Sequence, residues 1–169
     1  MIIRVSDIED EGLVVANAGE FVAPFSDRAW RLDRVRLHVE RDGADVVVTG
    51  QIDATVPVVC SRCLEEFRSE VRPVVDARYV PKPAADHDVE LGADDLDLDF
   101  YQNDELNLSA LIETETSLAL PMKPLCRSDC RGICPVCGVN LNATRCACER
   151  RPPDPRLAPL RDLAARLNH

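Results

Sequence analysis

Aromatic side chains are scarce: one Trp, two Tyr and four Phe make up 4% of 169 residues, and none lies beyond Tyr101. Proteins that hold single-stranded nucleic acid without reading its sequence stack bases on aromatic rings, so the C-terminal third is no stacking platform. Apolar runs are short. No stretch approaches the roughly 18 apolar residues of a membrane span, and the opening MIIRVSDIEDEG lacks the basic start and apolar run of a secretory signal. A cytoplasmic location with no membrane partner is the expectation. Only three histidines occur (His38, His87, His169), all outside the cysteine-rich stretch, whereas catalytic zinc usually takes His and carboxylate ligands and keeps one position open. No G-x-x-x-x-G-K-[ST], G-x-G-x-x-G or G-x-S-x-G is present, so nucleotide-binding and serine-hydrolase readings have no motif behind them and no small-molecule substrate is expected.

What is present is a soluble, globular composition, 46% hydrophobic and 30% charged, long enough for one cored domain or for one domain plus a small metal appendage. Charge is unevenly spread. Between Pro83 and Met122 there is no Lys or Arg. From Pro121 onward nine basic residues face four acidic ones, a net +5 that leaves −15 for the first 120 residues of a chain carrying −10. An acidic body with a basic tail points to an anionic partner at one end only, and Arg127, Arg131, Arg145, Arg150 and Arg151 are the candidate nucleic-acid contacts. The plainer alternative is a solvated, charge-balanced surface.

Six of eight cysteines fall between Leu120 and Cys148, as Cys126-x3-Cys130, Cys134-x2-Cys137 and Cys146-x-Cys148, and the other two form Cys60-x2-Cys63. Clustered thiols beside turn-forming glycines, in a chain without an export signal, suit tetrahedral zinc better than disulfides. Eight divide into two four-thiolate sites, so two zinc ions are predicted. Cys134, Cys137, Cys146 and Cys148 can close one site locally, which leaves Cys126 and Cys130 to find Cys60 and Cys63. An interleaved set, Cys60 and Cys63 with Cys134 and Cys137, remains the alternative.

Alternation predicts strands at 2–8, 13–15, 35–39, 44–59 and 67–79, with Asp42-Gly43 as a hairpin turn and Pro73 consigning the last strand to an edge or bulge. A short strand around Leu96, Leu98 and Phe100 is also expected. Residues 107–120 predict a helix with Leu108, Leu111, Ile112, Leu118 and Ala119 on one face, ended by Pro121. Asp154-Pro155 starts a second helix striped by Leu157, Leu160, Leu163, Ala164 and Leu167. The predicted class is α+β: an antiparallel sheet or partial barrel of long hairpins, with one or two helices and a cysteine-rich zinc-binding C-terminal region. Residues 1–120 form the β-rich body and 121–169 the zinc-binding region with its helix, in a single compact protein.

The segments C-S-R-C-L-E-E-F (60–67), L-A-L-P-M-K-P-L-C (118–126), D-C-R-G-I-C-P-V-C-G-V-N-L-N (129–142) and D-P-R-L-A-P-L (154–160) together resemble the YceD-like family, the large ribosomal RNA subunit accumulation proteins. The resemblance implies a non-enzymatic ribosome biogenesis factor that supports accumulation or maturation of large-subunit (23S) ribosomal RNA. Its implied partner is a large-subunit pre-ribosomal particle, contacted through RNA or ribosomal protein. The resemblance implies no catalytic residue. Some members lack most of the second cysteine set, which implies a stabilising role for Cys134, Cys137, Cys146 and Cys148. The alternative is an iron–sulfur or thiol redox enzyme, because Cys130-x3-Cys134-x2-Cys137 reproduces the spacing of radical enzymes that use S-adenosylmethionine. Those enzymes need a large βα-barrel, and these strands read as antiparallel.

Overall fold

A computed structural model describes residues 1–83 and 98–148. Period-two alternation builds its longest elements. In β3 (Arg31–Asp42) Val35, Leu37 and Val39 are buried between exposed Arg34, Arg36 and Glu40, and in β4 (Asp45–Val59) Val46, Val48, Ile52, Ala54 and Val56 are buried. The two strands pair antiparallel down to Asp42↔Asp45, so the turn residues are Gly43 and Ala44, one place later than the Asp-Gly pair suggests. Gly43 takes the positive φ (65°) that a two-residue loop requires. Gly50 lets the strands approach closely: a Cβ there would lie 2.0 Å from the Arg36 carbonyl oxygen.

The predicted strand 67–79 is two strands, β5 (Glu66–Val71) and β6 (Val74–Pro81), both pairing with β4. Pro73 falls in the break, where its missing N–H costs nothing while its carbonyl still accepts from the Ile52 N–H at 3.1 Å. β6 is therefore interior rather than an edge. On its far side lies β7 (Leu98–Tyr101), running parallel to it. This is a departure from the antiparallel expectation, and the connection over 82–97 has the length that a parallel crossover needs. With β2 (Leu13–Val15) on β3 the order is β2-β3-β4-β6-β7, an open mixed sheet; no closed barrel forms among the described residues. β1 (Ile2–Arg4) and β8 (Glu105–Asn107) make a separate antiparallel pair.

The single α-helix among the described residues, α1 (Leu108–Leu118), starts where expected. Asn107 Oδ1 accepts from the Ser109 and Ala110 N–H groups at 3.1 and 3.2 Å, satisfying two of the helix's unpaired donors. Leu108, Leu111 and Ile112 are buried, but Leu118 is 75% exposed and Thr116 takes the inward place. The inward direction recurs at 112 and 116, and two residues later the helix has turned by about 200°. The predicted second helix at 154–167 lies outside the described residues. No helix among those described is long and apolar enough to cross a membrane.

The chain divides into two units, Met1–Val58 with Glu66–Pro124, and Val59–Glu65 with the chain from Leu125 onward. Among the described residues, every member of the apolar core belongs to the first. In the second, the buried residues among those described are Cys60, Cys63, Cys130, Cys134 and Gly132. Those described residues place cysteines where a domain normally has leucines.

Candidate metal centre

Two tight turns in the second unit are built alike. In Cys60-Ser-Arg-Cys63 the Cys60 N–H donates to the Glu65 carbonyl at 2.9 Å and the Leu64 N–H to the Cys60 carbonyl at 3.0 Å. In Cys134-Pro-Val-Cys137 the Cys134 N–H donates to the Val139 carbonyl at 2.8 Å and the Gly138 N–H to the Cys134 carbonyl at 2.9 Å. The residue after each second cysteine sits at positive φ, Leu64 at 62° and Gly138 at 73°. The same knuckle is thus written twice, once with the glycine that its backbone favours and once with a leucine that bears the strain. A third turn, closed by the Cys130 N–H on the Arg127 carbonyl at 3.2 Å, brings Cys126 and Cys130 to one side.

The eight thiols gather into two groups: Cys60, Cys63, Cys126 and Cys130, and Cys134, Cys137, Cys146 and Cys148, the sulfurs of each lying within 4.8 Å of one another. These are the sets that loop closure favours over the interleaved alternative. Cys60 Sγ is 3.8 Å from Cys130 Sγ, and Cys63 Sγ is 3.7 Å from Cys126 Sγ. A disulfide needs about 2.0 Å. A tetrahedron with metal–sulfur bonds of about 2.3 Å has edges of about 3.8 Å, so the first group has the dimensions of a mononuclear four-thiolate site. The donor set fits a thiophilic divalent ion, and all four thiols of each group can reach one centre. The first group is largely enclosed, whereas Cys137 and Cys148 of the second are exposed.

Backbone donors favour the thiolate at Cys60 and Cys134, and Cys130 is also lowered, against burial, by Asn142 and the Gly132 amide. The amides of Cys126 and Cys63 lower the Cys60 thiol to about 6, and those of Cys137 and Val136 lower Cys134 to about 6. Neighbours move the other way: burial, then the other three thiols, push Cys126 up to about 12, and contact with Cys137, then burial, pushes Cys148 up to about 12. Four adjacent thiols cannot all ionise unaided. A divalent cation held by the four cysteines of a group would offset that repulsion and favour all four as thiolates.

Residues beyond the cysteines hold the first group. The Arg62 guanidinium donates to the Cys130 carbonyl at 2.9 Å, and the Arg62 carbonyl accepts from the Ile133 N–H at 3.0 Å. Gly132, at φ 75°, passes so close that a Cβ would lie 2.9 Å from that carbonyl. Asn142 donates to Cys130 Sγ at 3.2 Å. Sequence reasoning missed Arg62, whose signal was its position inside the first knuckle, and Asn142, whose partners lie on another turn of the chain. Of the candidate nucleic-acid contacts, Arg127, Arg131 and Arg145 are exposed in this unit, Arg127 already bonded to Asn142 at 2.7 Å and lying 3.4 Å from Asp129. Arg150 and Arg151 lie outside the described residues. His38 pairs with Glu40 on β3 and belongs to the other unit.

Residues 48–164 match the family model described as large ribosomal RNA subunit accumulation protein YceD. Uncharacterized proteins of Mycobacterium tuberculosis and Mycobacterium bovis are 33% identical over 106 residues, 62% of this chain and 49% of theirs. The large ribosomal RNA subunit accumulation protein YCED homolog 1, chloroplastic, of Arabidopsis thaliana is 36% identical over 59 residues, 35% of this chain and 18% of that one. The chain thus spans about half the length of the mycobacterial relatives it matches. No solved structure matches it.

Proposed function

Because the chain belongs to the YceD family of large ribosomal RNA subunit accumulation proteins, we propose that it is a non-enzymatic factor that engages a large-subunit pre-ribosomal particle in the cytoplasm and supports accumulation or maturation of 23S ribosomal RNA. The family's own description gives the ribosome-related role; the mode of engagement is our reading. In it, Cys60, Cys63, Cys126 and Cys130 hold one zinc ion and Cys134, Cys137, Cys146 and Cys148 a second. The metal supplies folding free energy and rigid turns rather than a reactive site, since four thiolates fill a tetrahedral shell and leave no position for water or substrate.

The observation that carries this reading is the composition of the second unit's interior among its described residues: cysteine and one glycine, with no apolar side chain from Val, Leu, Ile or Phe. A unit built so has metal as its organising centre and surface as its working part. Its exposed arginines are the docking candidates, with guanidinium forks that match phosphate oxygens. Each zinc–tetrathiolate centre is itself doubly negative, so these arginines also offset that charge. The iron–sulfur alternative fits less well, because a multi-iron cluster interposes its own atoms between the thiolates and holds them farther apart than a mononuclear ion does.

The test is a variant with Arg127, Arg131, Arg145, Arg150 and Arg151 all replaced by glutamine, which leaves an amide donor for Asn142. It should retain both metals and its fold while co-sedimenting less with large-subunit precursors. The salt dependence of that association should flatten by roughly one unit of slope for each phosphate no longer engaged. Unchanged co-sedimentation together with unchanged 23S ribosomal RNA levels would remove the docking role and leave the acidic surface, with a basic ribosomal protein as partner, as the next to test.

A further inference from the structure

The V-N-L-N run sits between Cys137 and Cys146, inside the segment that closes the second cysteine group, yet its side chains serve the first. Asn142 Nδ2 donates to Cys130 Sγ at 3.2 Å. Its Oδ1 accepts from the Arg131 N–H at 2.8 Å and from the Arg127 guanidinium at 2.7 Å, the two residues that follow Cys126 and Cys130. Asn140 Oδ1 accepts from the Asn142 N–H at 2.9 Å, and Asn140 Nδ2 donates to Glu65, two residues past Cys63, at 2.7 Å. The backbone joins in: the Leu141 N–H donates to the Gly132 carbonyl at 2.9 Å, and Ile133 and Asn140 form an antiparallel bridge. One amide side chain therefore meets a ligand sulfur, a backbone donor and a guanidinium of the first group from a loop whose ends are tied by the second.

We propose that Asn142 is a positioning residue for the first cysteine group and that it makes metal binding at the two groups cooperative. The proposal rests on the reading that both groups hold zinc. Closing the second group fixes the ends of the 138–145 loop and so presents Asn142 to Cys130. The first group then binds its ion without the entropic cost of ordering that loop. The N–H donated to Cys130 stabilises the thiolate and sets its direction, as outer partners do for metal ligands generally. Linkage makes the effect reciprocal: the first ion tightens the second by the same factor.

The experiment uses the full reduced chain and zinc alone, with affinities from competition against a chromophoric chelator and with cobalt–thiolate absorption as a second readout. Three backgrounds separate the sites: the natural sequence, Cys146→Ser with Cys148→Ser, and Cys60→Ser with Cys63→Ser. In the natural sequence the first group should bind about tenfold more tightly than when the second is disabled, a coupling of ordinary size. Asn142→Ala should abolish that factor and weaken the first group by about 10- to 100-fold, the usual cost of losing an outer partner. Asn142→Asp keeps the acceptor for Arg131 and Arg127 but removes the donor to Cys130, and should give most of the same loss with the fold intact. In the Cys60→Ser, Cys63→Ser background neither change should alter the second group's affinity. Independent binding in the natural sequence, or weakening of the second group by Asn142→Asp in the Cys60→Ser, Cys63→Ser background, overturns the proposal. If the natural protein takes up neither zinc nor cobalt, the metal reading itself fails, a result distinct from two ions bound without coupling.

Discussion

Replacing Cys63 by serine should unfold part of the second unit and leave the first untouched. Cys63 is 4% exposed and its sulfur lies 3.7 Å from Cys126 Sγ. A serine hydroxyl is a hard, protonated donor and does not substitute for thiolate on a thiophilic ion. A structural zinc site contributes about 10–16 kcal/mol to small-domain folding, as much as the whole net stability of about 5–15 kcal/mol of a typical domain. The second unit has no buried apolar side chain among its described residues to make good that loss, whereas the first keeps Leu37, Val48, Ile52, Leu106 and Ile112 fully enclosed. Hydrogen exchange resolves the outcome by residue. In excess zinc, the Leu64 amide, bonded to the Cys60 carbonyl, and the Ile133 amide, bonded to the Arg62 carbonyl, should lose protection by more than about a thousandfold. The Cys134 and Gly138 amides should keep theirs, since the second group retains its four thiols, and so should Ile52, bonded to Pro73 in the first unit. A strong chelator should then expose Cys134 and Gly138 as well, again sparing Ile52. Protection at Leu64 and Ile133 that survives in metal-free Cys63→Ser protein would refute the claim that metal replaces a core here; so would loss at Ile52 in step with them.

Two further outcomes follow from other positions. Gly132→Ala places a methyl 2.9 Å from the Arg62 carbonyl at a φ of 75°, so the turn must shift; zinc affinity at the first group should fall by about tenfold or more while the second is unchanged, as chelator competition will read. Glu115 is raised above its ordinary value, first by burial and then by Asp99, so the folded state holds more protons than the unfolded above the ordinary value of 4.5. Its contribution therefore lowers stability as pH rises from there through the folded-state value, and Glu115→Gln should flatten that decline, read as the difference in urea midpoint between about pH 4 and 8. An identical pH profile in the variant would mean that Asp99 and burial do not act on Glu115.

The sequence by itself settled what depends on neighbours along the chain. The β3–β4 hairpin follows from alternation and a glycine, the start of α1 from Asn107, and the two like knuckles from Cys-x-x-Cys, because period-two faces, caps and tight turns are decided within a few residues. Even the partition of eight thiols could be ranked by loop closure, though not decided. Only the tertiary structure brought Cys60 to Cys130 and Cys63 to Cys126, 70 and 63 residues apart in the chain. It also decided that β7 runs parallel to β6, that Pro73 divides one predicted strand into two, and that Thr116 rather than Leu118 faces inward. Asn142 marks the boundary most clearly. Nothing local to V-N-L-N calls for an asparagine, since the atoms it satisfies, Cys130 Sγ, the Arg131 N–H and the Arg127 guanidinium, lie on another turn of the chain. A polar side chain that completes a distant group has its reason in three dimensions, where unpaired donors and sulfurs must be met from whichever segment the fold brings near.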